Sequence, residues 1–303
     1  MKKVLTNILS LGLCVLLLAG CGAATKTDKV TNRYSAYAIG NHDRAGYEVK
    51  TGSAFVAPGL TLVTYHYSDL FGSPQDISII EADPRKFRFN VLDHKSLKKT
   101  SEAASEAGAV AAINGTFYNM KQGGSVCYLQ IDGQVADTTK GSNMKLRANG
   151  AVVIRNGRLS VEPWNQDKEK RFLANPDKNT SVMATMTLLV HDGYAVEILE
   201  NKGFSDKRHP RSVIFEKDGK VCLMVIDGRS KGNAAGMTLD EIQRYLSIMG
   251  DGKGCKSAVN LDGGGSSTLW TAKDGIINHP SDNGKFDNKG ERRVANSIIV
   301  IRK

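Results

Sequence analysis

Apolar and polar positions along the chain alternate between two periods, and each change of period marks an element. Residues 77–81 and 87–92 read as strands, with Pro84 breaking them apart. Residues 97–107 are rich in Ala, Glu and Lys and run up to Gly108, which predicts a helix with a glycine stop. The apolar run 110–113 predicts a short strand leading into Asn114-Gly115-Thr116-Phe117-Tyr118. Asn156-Gly157 between 151–154 and 159–162, and Asp218-Gly219 between 212–216 and 220–226, each signal a tight hairpin. Residues 239–249 put Leu239, Ile242, Tyr245, Leu246 and Met249 on one helical face. Thr238 and Glu241 form a capping box before that helix, and Gly250 is placed to end it. A buried strand at 258–261 then delivers Asp262, and 297–301 reads as the strand that closes the sheet. Hairpins combined with strand–helix–strand units predict an α+β fold: a mixed β-sheet with packed helices, in a single large domain.

Composition refines this picture at the N-terminus. Lys2 and Lys3 precede an apolar run over 4–19, too short for a membrane span, which ends in Leu18-Ala19-Gly20-Cys21. This pattern predicts a signal peptide over 1–20 with a lipobox, so that cleavage leaves a lipid on Cys21. Residues 21–33 are small and polar and read as a flexible tether, and 34–303 as the domain. The expected location is a bacterial cell envelope, outside the cytoplasm, held to the membrane by that lipid. Loss of the signal takes the net charge from +10 to +8. The densest basic patch is 207–211, followed by Arg292-Arg293. An exported chain with spread basic charge favours anionic substrates or an anionic surface over nucleic acid. Cys127, Cys222 and Cys255 cannot all pair and form no C-x-x-C, so neither a disulfide framework nor a cysteine metal site is expected. No obligate protein partner is expected.

Five stretches are candidates for chemistry. In Asn260-Leu261-Asp262-Gly263-Gly264-Gly265-Ser266-Ser267-Thr268, a strand stops at a carboxylate followed by three glycines and two serines. Such a loop admits backbone paths closed to other residues and is either a tight hairpin or an anion-binding floor. It is not a Walker A loop, a G-x-G-x-x-G or a G-x-S-x-G. Asp227-Gly228-Arg229 ends another apolar strand with a carboxylate and a guanidinium. Arg208-His209-Pro210-Arg211 and Glu291-Arg292-Arg293 each place charge just before a strand, and Asn114 is an amide ligand or a turn former. The six histidines are scattered without a metal-binding spacing, so no catalytic metal or other cofactor is expected. Asp282-Asn283-Gly284 to Asp287-Asn288 is rich in oxygen ligands and is a candidate structural calcium loop.

Taken in order, NGTFY, HPRS, IDGR, GMTLDEIQRYL, NLDGGGSST and ERRVANSIIV resemble the phosphodiester glycosidase family over residues 111–301. An animal member of that family removes N-acetylglucosamine from a sugar-phosphate-sugar diester. The chain has Thr116 where the family often has a second glycine, Ser212 where it often has threonine, and Arg293 where it often has proline. The resemblance implies a hydrolase acting on a sugar-phosphate glycan. It places Asn114, Arg211, Arg229, Gly263, Gly264, Gly265, Ser266 and Arg292 against the substrate. Asp262 and Glu291 are then the working carboxylate pair, with Asp227 in reserve. Two alternatives stay open: a metal-dependent phosphodiesterase, and a non-catalytic lipoprotein that binds anionic glycan.

Overall fold

The computed structural model describes residues 49–199, 203–249 and 254–303. The signal segment, Cys21, the tether and Gly250 lie outside these residues. The described chain opens with a meander of β1 (Val49–Ala57), β2 (Leu60–Tyr67) and β3 (Gln75–Ala82). The long β4 (Phe87–Lys99) runs directly into helix α1 (Thr100–Glu106), and β5 (Ala111–Asn114) follows. Next come β6 (Leu129–Ile131), β7 (Gln134–Asp137), helix α2 (Ser142–Arg147), and the hairpin of β8 (Gly150–Arg155) and β9 (Arg158–Pro163). Helix α3 (Gln166–Ala174) precedes β10 (Thr180–Thr185), β11 (Leu188–His191) and β12 (Tyr194–Ala195). The hairpin of β13 (Arg211–Lys217) and β14 (Lys220–Ile226) leads to helix α4 (Leu239–Ile248) and β15 (Ser257–Asn260). Last come β16 (Leu269–Thr271), β17 (Gly275–Ile276) and β18 (Arg293–Arg302).

The strands form three sheets. Their orders are β1-β2-β3-β14-β13-β15-β11-β12, β7-β6-β10-β8-β9 and β17-β16-β5-β18-β4. The largest apolar layer lies between sheets and joins Leu62, Ile80, Val225 and Val259 to Phe89, Ile113, Val152 and Ile298. Each fully buried Leu, Ile or Val there contributes on the order of 1.5–3 kcal/mol. The opposite face of the eight-stranded sheet is covered by α4 through Leu239, Ile242, Tyr245 and Leu246. Helix α1 covers part of the third sheet, with Ala104 against Ala112, Trp270 and Ile299.

Both expected hairpins form. Asn156 and Gly157 have φ of 51° and 74°, and Asp218 and Gly219 have 51° and 72°, as a two-residue turn with both centres left-handed requires. The α4 capping box is also present: Thr238 Oγ1 accepts from Glu241 N–H, and Glu241 accepts from Thr238 N–H. The expected cover of helices is thin, since strands dominate and only short helices pack on them. The helix expected over 97–107 begins only at Thr100. Lys98 and Lys99 instead pair with Val294 and Arg293 in β18, so sheet pairing overrides local helix preference.

The topology brings many segment ends to one place. In the eight-stranded sheet, Ile226 faces both Ile77 and Arg211 across neighbouring strands, and Val213 faces Asn260. In the third sheet, Asn114 faces Ser297 and Ile113 faces Leu269. The residues that follow or precede these positions, Asp227, Pro210, Asp262, Gly115 and Asn296, therefore collect at one end of the molecule.

Candidate active site

Asp262 sits where the two sheets meet. Its N–H donates to Gly115 O at 3.1 Å, and its carbonyl accepts from Asn114 Nδ2 at 2.7 Å. Its Oδ1 accepts from the Gly263 N–H at 3.0 Å. Protein surrounds the carboxyl group, although the residue keeps partial exposure at the site. Desolvation pushes the carboxyl up to about 6, against the opposing pull of neighbouring Ser266, Gly263 N–H, Arg292 and Arg229. An acid held near 6 can exchange its proton close to neutral pH.

The glycines after it form a floor, with Gly264–Ser266 in one turn of 3-10 helix. The N–H groups of Gly264, Ser266 and Ser267 donate to Pro210 O, Gly263 O and Gly264 O. Together with the Gly263 bond to Asp262, most of the amides expected to cradle an anion are already engaged within the loop. Close approach of other groups explains the glycines instead. A Cβ on Gly263 would lie 2.6 Å from Pro210 O, and one on Gly264 would lie 2.8 Å from the Arg229 guanidinium. A Cβ on Gly265 would lie 2.6 Å from Arg292 and Asp282. Two guanidinium groups thus rest on the loop backbone beside Asp262. Gly264 also has φ of 64°, which a larger residue adopts at a cost.

The two arginines are held differently. Arg292 donates through Nε to Asp282 Oδ1 at 2.8 Å and through a terminal nitrogen to the same oxygen. Arg229 is exposed, has a left-handed backbone with φ of 61°, and makes no hydrogen bond or ion pair among the described residues. Its charge is available to a ligand. Tyr118 stands in the same neighbourhood: Ser266, Asp262 and Arg292 all act on its phenol, and burial raises its pKa. Ser266 lies beside both Asp262 and Tyr118, yet its buried Oγ makes no hydrogen bond of normal geometry. The hydroxyls of Ser267 and Thr268 are likewise buried and unpartnered.

Other expected site residues have different surroundings. Arg211 is 1% exposed and spends its guanidinium on carbonyls, donating to Met237 O, Phe204 O and Lys207 O. Burial, with Arg229 nearby, lowers its pKa to about 10. It pins the 203–210 loop under the site. Asn114 is also internal: its Oδ1 accepts from Ser212 Oγ and Thr268 N–H while its Nδ2 holds Asp262 O. Glu291 faces α1, not Asp262. Its oxygens accept from Ser101 N–H at 2.8 Å and Ser101 Oγ at 2.5 Å, which caps a helix whose N-cap residue Lys99 offers no acceptor.

Asp227 is 1% exposed and accepts from Asn278 Nδ2, the His279 N–H and His279 Nδ1, the last at 2.8 Å. This hydrogen bond raises the His279 pKa, and the ring stacks on Phe286 at 3.9 Å. Asn278 Nδ2 also donates to Ser267 O, so this pair is tied to the glycine loop. Asp76, Asp227 and His279 bring ligand-type atoms within 4.8 Å of one another, a spacing that suits a cation. In the candidate calcium loop, Asp282 is engaged by Arg292, and Asp287 accepts from Asn283 Nδ2 and Lys289 N–H.

The sequence does not mark His279, Asn278 or Tyr118 as site residues, and Ser212 stands out in it only as a departure from the family pattern. Tyr118 lies within the Asn114–Tyr118 stretch, but nothing in the sequence gives the direction of its side chain. Asn278 and His279 lie 51 and 52 positions from Asp227, and only the fold brings them together.

The phosphodiester glycosidase family model matches residues 107–301. No curated protein matches the sequence. Among solved structures, the chain is similar to the zebrafish N-acetylglucosamine-1-phosphodiester alpha-N-acetylglucosaminidase catalytic domain auto-inhibited by its pro-peptide. That match has 18% identity and a TM-score of 0.62, covering 87% of this chain and 90% of the other. A putative exported protein from Burkholderia pseudomallei matches at 13% identity and a TM-score of 0.57, over 85% and 97%. A hypothetical protein from Synechocystis matches at 14% and 0.56, over 85% and 68%. At these identities the likeness is one of fold.

Proposed function

The chain belongs to the phosphodiester glycosidase family, and on that premise we propose that it hydrolyses the glycosidic bond of a sugar-1-phosphodiester, with Asp262 as the reacting carboxylate. One observation carries the reading: a carboxyl group tuned to about 6 lies beside two guanidinium groups seated on a glycine floor. A phosphodiester carries one negative charge near neutral pH, and Arg229 and Arg292 offer planar forks that match its oxygens. As the sugar–oxygen bond breaks, charge builds on the departing phosphate, and both guanidinium groups stabilise it. A phosphate monoester leaves as an anion without prior protonation, so the demand for a second carboxylic acid is small. Ionised Asp262 acts at the sugar carbon, as base or nucleophile. Glu291 then supports α1, and Asp227 with His279 steadies the loop.

We further propose that the protein lies in a bacterial cell envelope, outside the cytoplasm, held to a membrane by lipid on Cys21. The Leu18-Ala19-Gly20-Cys21 sequence supports this, as does the fold shared with an exported protein. An N-acetylglucosamine-1-phosphate linkage is the first substrate to try, given the zebrafish relative's activity.

A second reading, hydrolysis at phosphorus with a divalent metal, is favoured by the Asp76–Asp227–His279 group. It fits less well, because His279 Nδ1 donates to Asp227 and the Asp227 oxygens already take three donors. The test is a panel of sugar-1-phosphate diesters scored for products. The first reading expects free sugar plus a phosphomonoester, insensitivity to chelator, and a loss of about 10²–10⁴-fold for Asp262→Asn. Release of sugar-1-phosphate, or full activity of Asp262→Asn, overturns it.

A further inference from the structure

A groove at the far end of the molecule collects positive charge that the sequence scatters. It occupies about 690 Å³ and is lined by Arg88, Arg155, Arg158 and Lys303, with no acidic residue in its wall. The four cations come from three separate segments: the start of β4, the β8–β9 hairpin, and the residue after β18. A second depression of about 370 Å³ shares Arg88 and adds Arg302, with one acidic residue, Asp132, in its wall. Strand β18 begins beside Arg292 at the Asp262 site and ends at this groove. Its ten residues place about 30 Å between the two.

The groove is shaped as well as charged. Gly157 turns the β8–β9 hairpin against β4, and its carbonyl accepts from Phe89 N–H at 2.9 Å. A Cβ on Gly157 would lie 3.0–3.1 Å from the Arg88 stem, so glycine there makes room for that stem. Arg155 is partly neutralised by Glu162, and Lys303 Nζ donates to Pro84 O. The guanidinium groups of Arg88 and Arg158 make no hydrogen bond or ion pair among the described residues. Like charges gathered in one concavity repel one another, and a multivalent anion removes that repulsion. Three of the four lining cations are arginines, whose forks match phosphate oxygens.

We propose that this groove is an anion-binding site, separate from the Asp262 site, for a segment of linear polymer carrying repeated phosphate charges. Its volume and the spread of its four cations over three segments suit several linked phosphates better than one. The cations rim a shallow, open depression on three segments, along which a flexible chain reaches all four. The proposal stands independently of the reaction at Asp262.

The test is calorimetric titration of the full-length protein, in detergent, with inorganic tripolyphosphate. Binding should weaken roughly tenfold or more in Arg88→Glu/Arg158→Glu. It should weaken less, in the same direction, in the milder Arg88→Gln/Arg158→Gln, which guards against misfolding by charge reversal. It should also fall steeply between about 0.05 M and 0.2 M salt. A binding event of the same strength should persist in Arg229→Ala. No binding at low salt overturns the proposal, as does loss of all binding in Arg229→Ala with both double variants unaffected. It is also overturned if Arg88 and Arg158 instead govern a preference for phosphatidylglycerol over phosphatidylcholine vesicles while tripolyphosphate does not bind.

Discussion

At the residue scale, Asp262 combines a cost in stability with the chemical use proposed for it. Its folded pKa, about 6, exceeds the value of about 4 for an exposed aspartate. The native state therefore holds the proton more tightly than the unfolded chain. The penalty for ionising Asp262 is absent below about pH 4, grows between 4 and 6, and is full above 6. A shift of one unit corresponds to about 1.4 kcal/mol, and the partial exposure of Asp262 reduces the yield. Asp262→Asn should thus be more stable than the parent by about 1–2 kcal/mol at pH 8 and equal to it at pH 3.5, measured by denaturant unfolding. Because the ionised form works, kcat/KM should rise through about pH 6 in the parent. Glu291→Ala should behave in the opposite way, losing about 1 kcal/mol of stability through the uncapped α1 while keeping kcat within a few fold. These two carboxylates look alike in the sequence, each beside a glycine or arginine at the edge of a strand. What separates them is the partner: Ser101, 190 positions from Glu291, turns that side chain away from the site. Arg211 is a similar case, since its charge was legible but not the ring of carbonyls from Phe204, Lys207 and Met237 that uses it.

At the element scale, whatever depends on local chemistry was legible. The Asn156-Gly157 and Asp218-Gly219 turns and the Thr238–Glu241 box fix backbone within a few residues, and all three formed. The end of β4 was not, because Lys98 and Lys99 pair with β18 almost 200 residues later. The glycine loop was legible as a constrained path, but its role changed from an amide cradle to a floor for two arginines. Gly264→Ala tests that floor. The added methyl group meets the Arg229 guanidinium at 2.8 Å, on a backbone with φ of 64°. The variant should lose about 1 kcal/mol of stability and raise KM for a phosphodiester more than it lowers kcat. The loop that holds Asp227 has its own signature. His279 is raised by Asp227, so the stabilisation from this pair is complete below about pH 6.5 and fades as pH rises through the folded value. An NMR titration should show the His279 imidazole pKa falling in Asp227→Asn.

At the scale of the whole molecule, three sheets bring the Asp262 carboxylate and two guanidinium groups to one end and a basic groove to the other. Strand order was illegible because it rests on pairings between distant segments, such as β3 with β14 and β5 with β18. Collection of Arg88, Arg155, Arg158 and Lys303 was illegible for the same reason, and the densest basic run in the sequence, 207–211, lies elsewhere. The central claim is that water attacks carbon rather than phosphorus at the Asp262 end. The direct measurement is hydrolysis of an N-acetylglucosamine-1-phosphodiester in ¹⁸O-labelled water, with products read by mass spectrometry and ³¹P NMR. The account predicts ¹⁸O in the released sugar and an unlabelled phosphomonoester, with turnover lost in Asp262→Asn. Label in the phosphate, with none in the sugar beyond slow exchange, would contradict it.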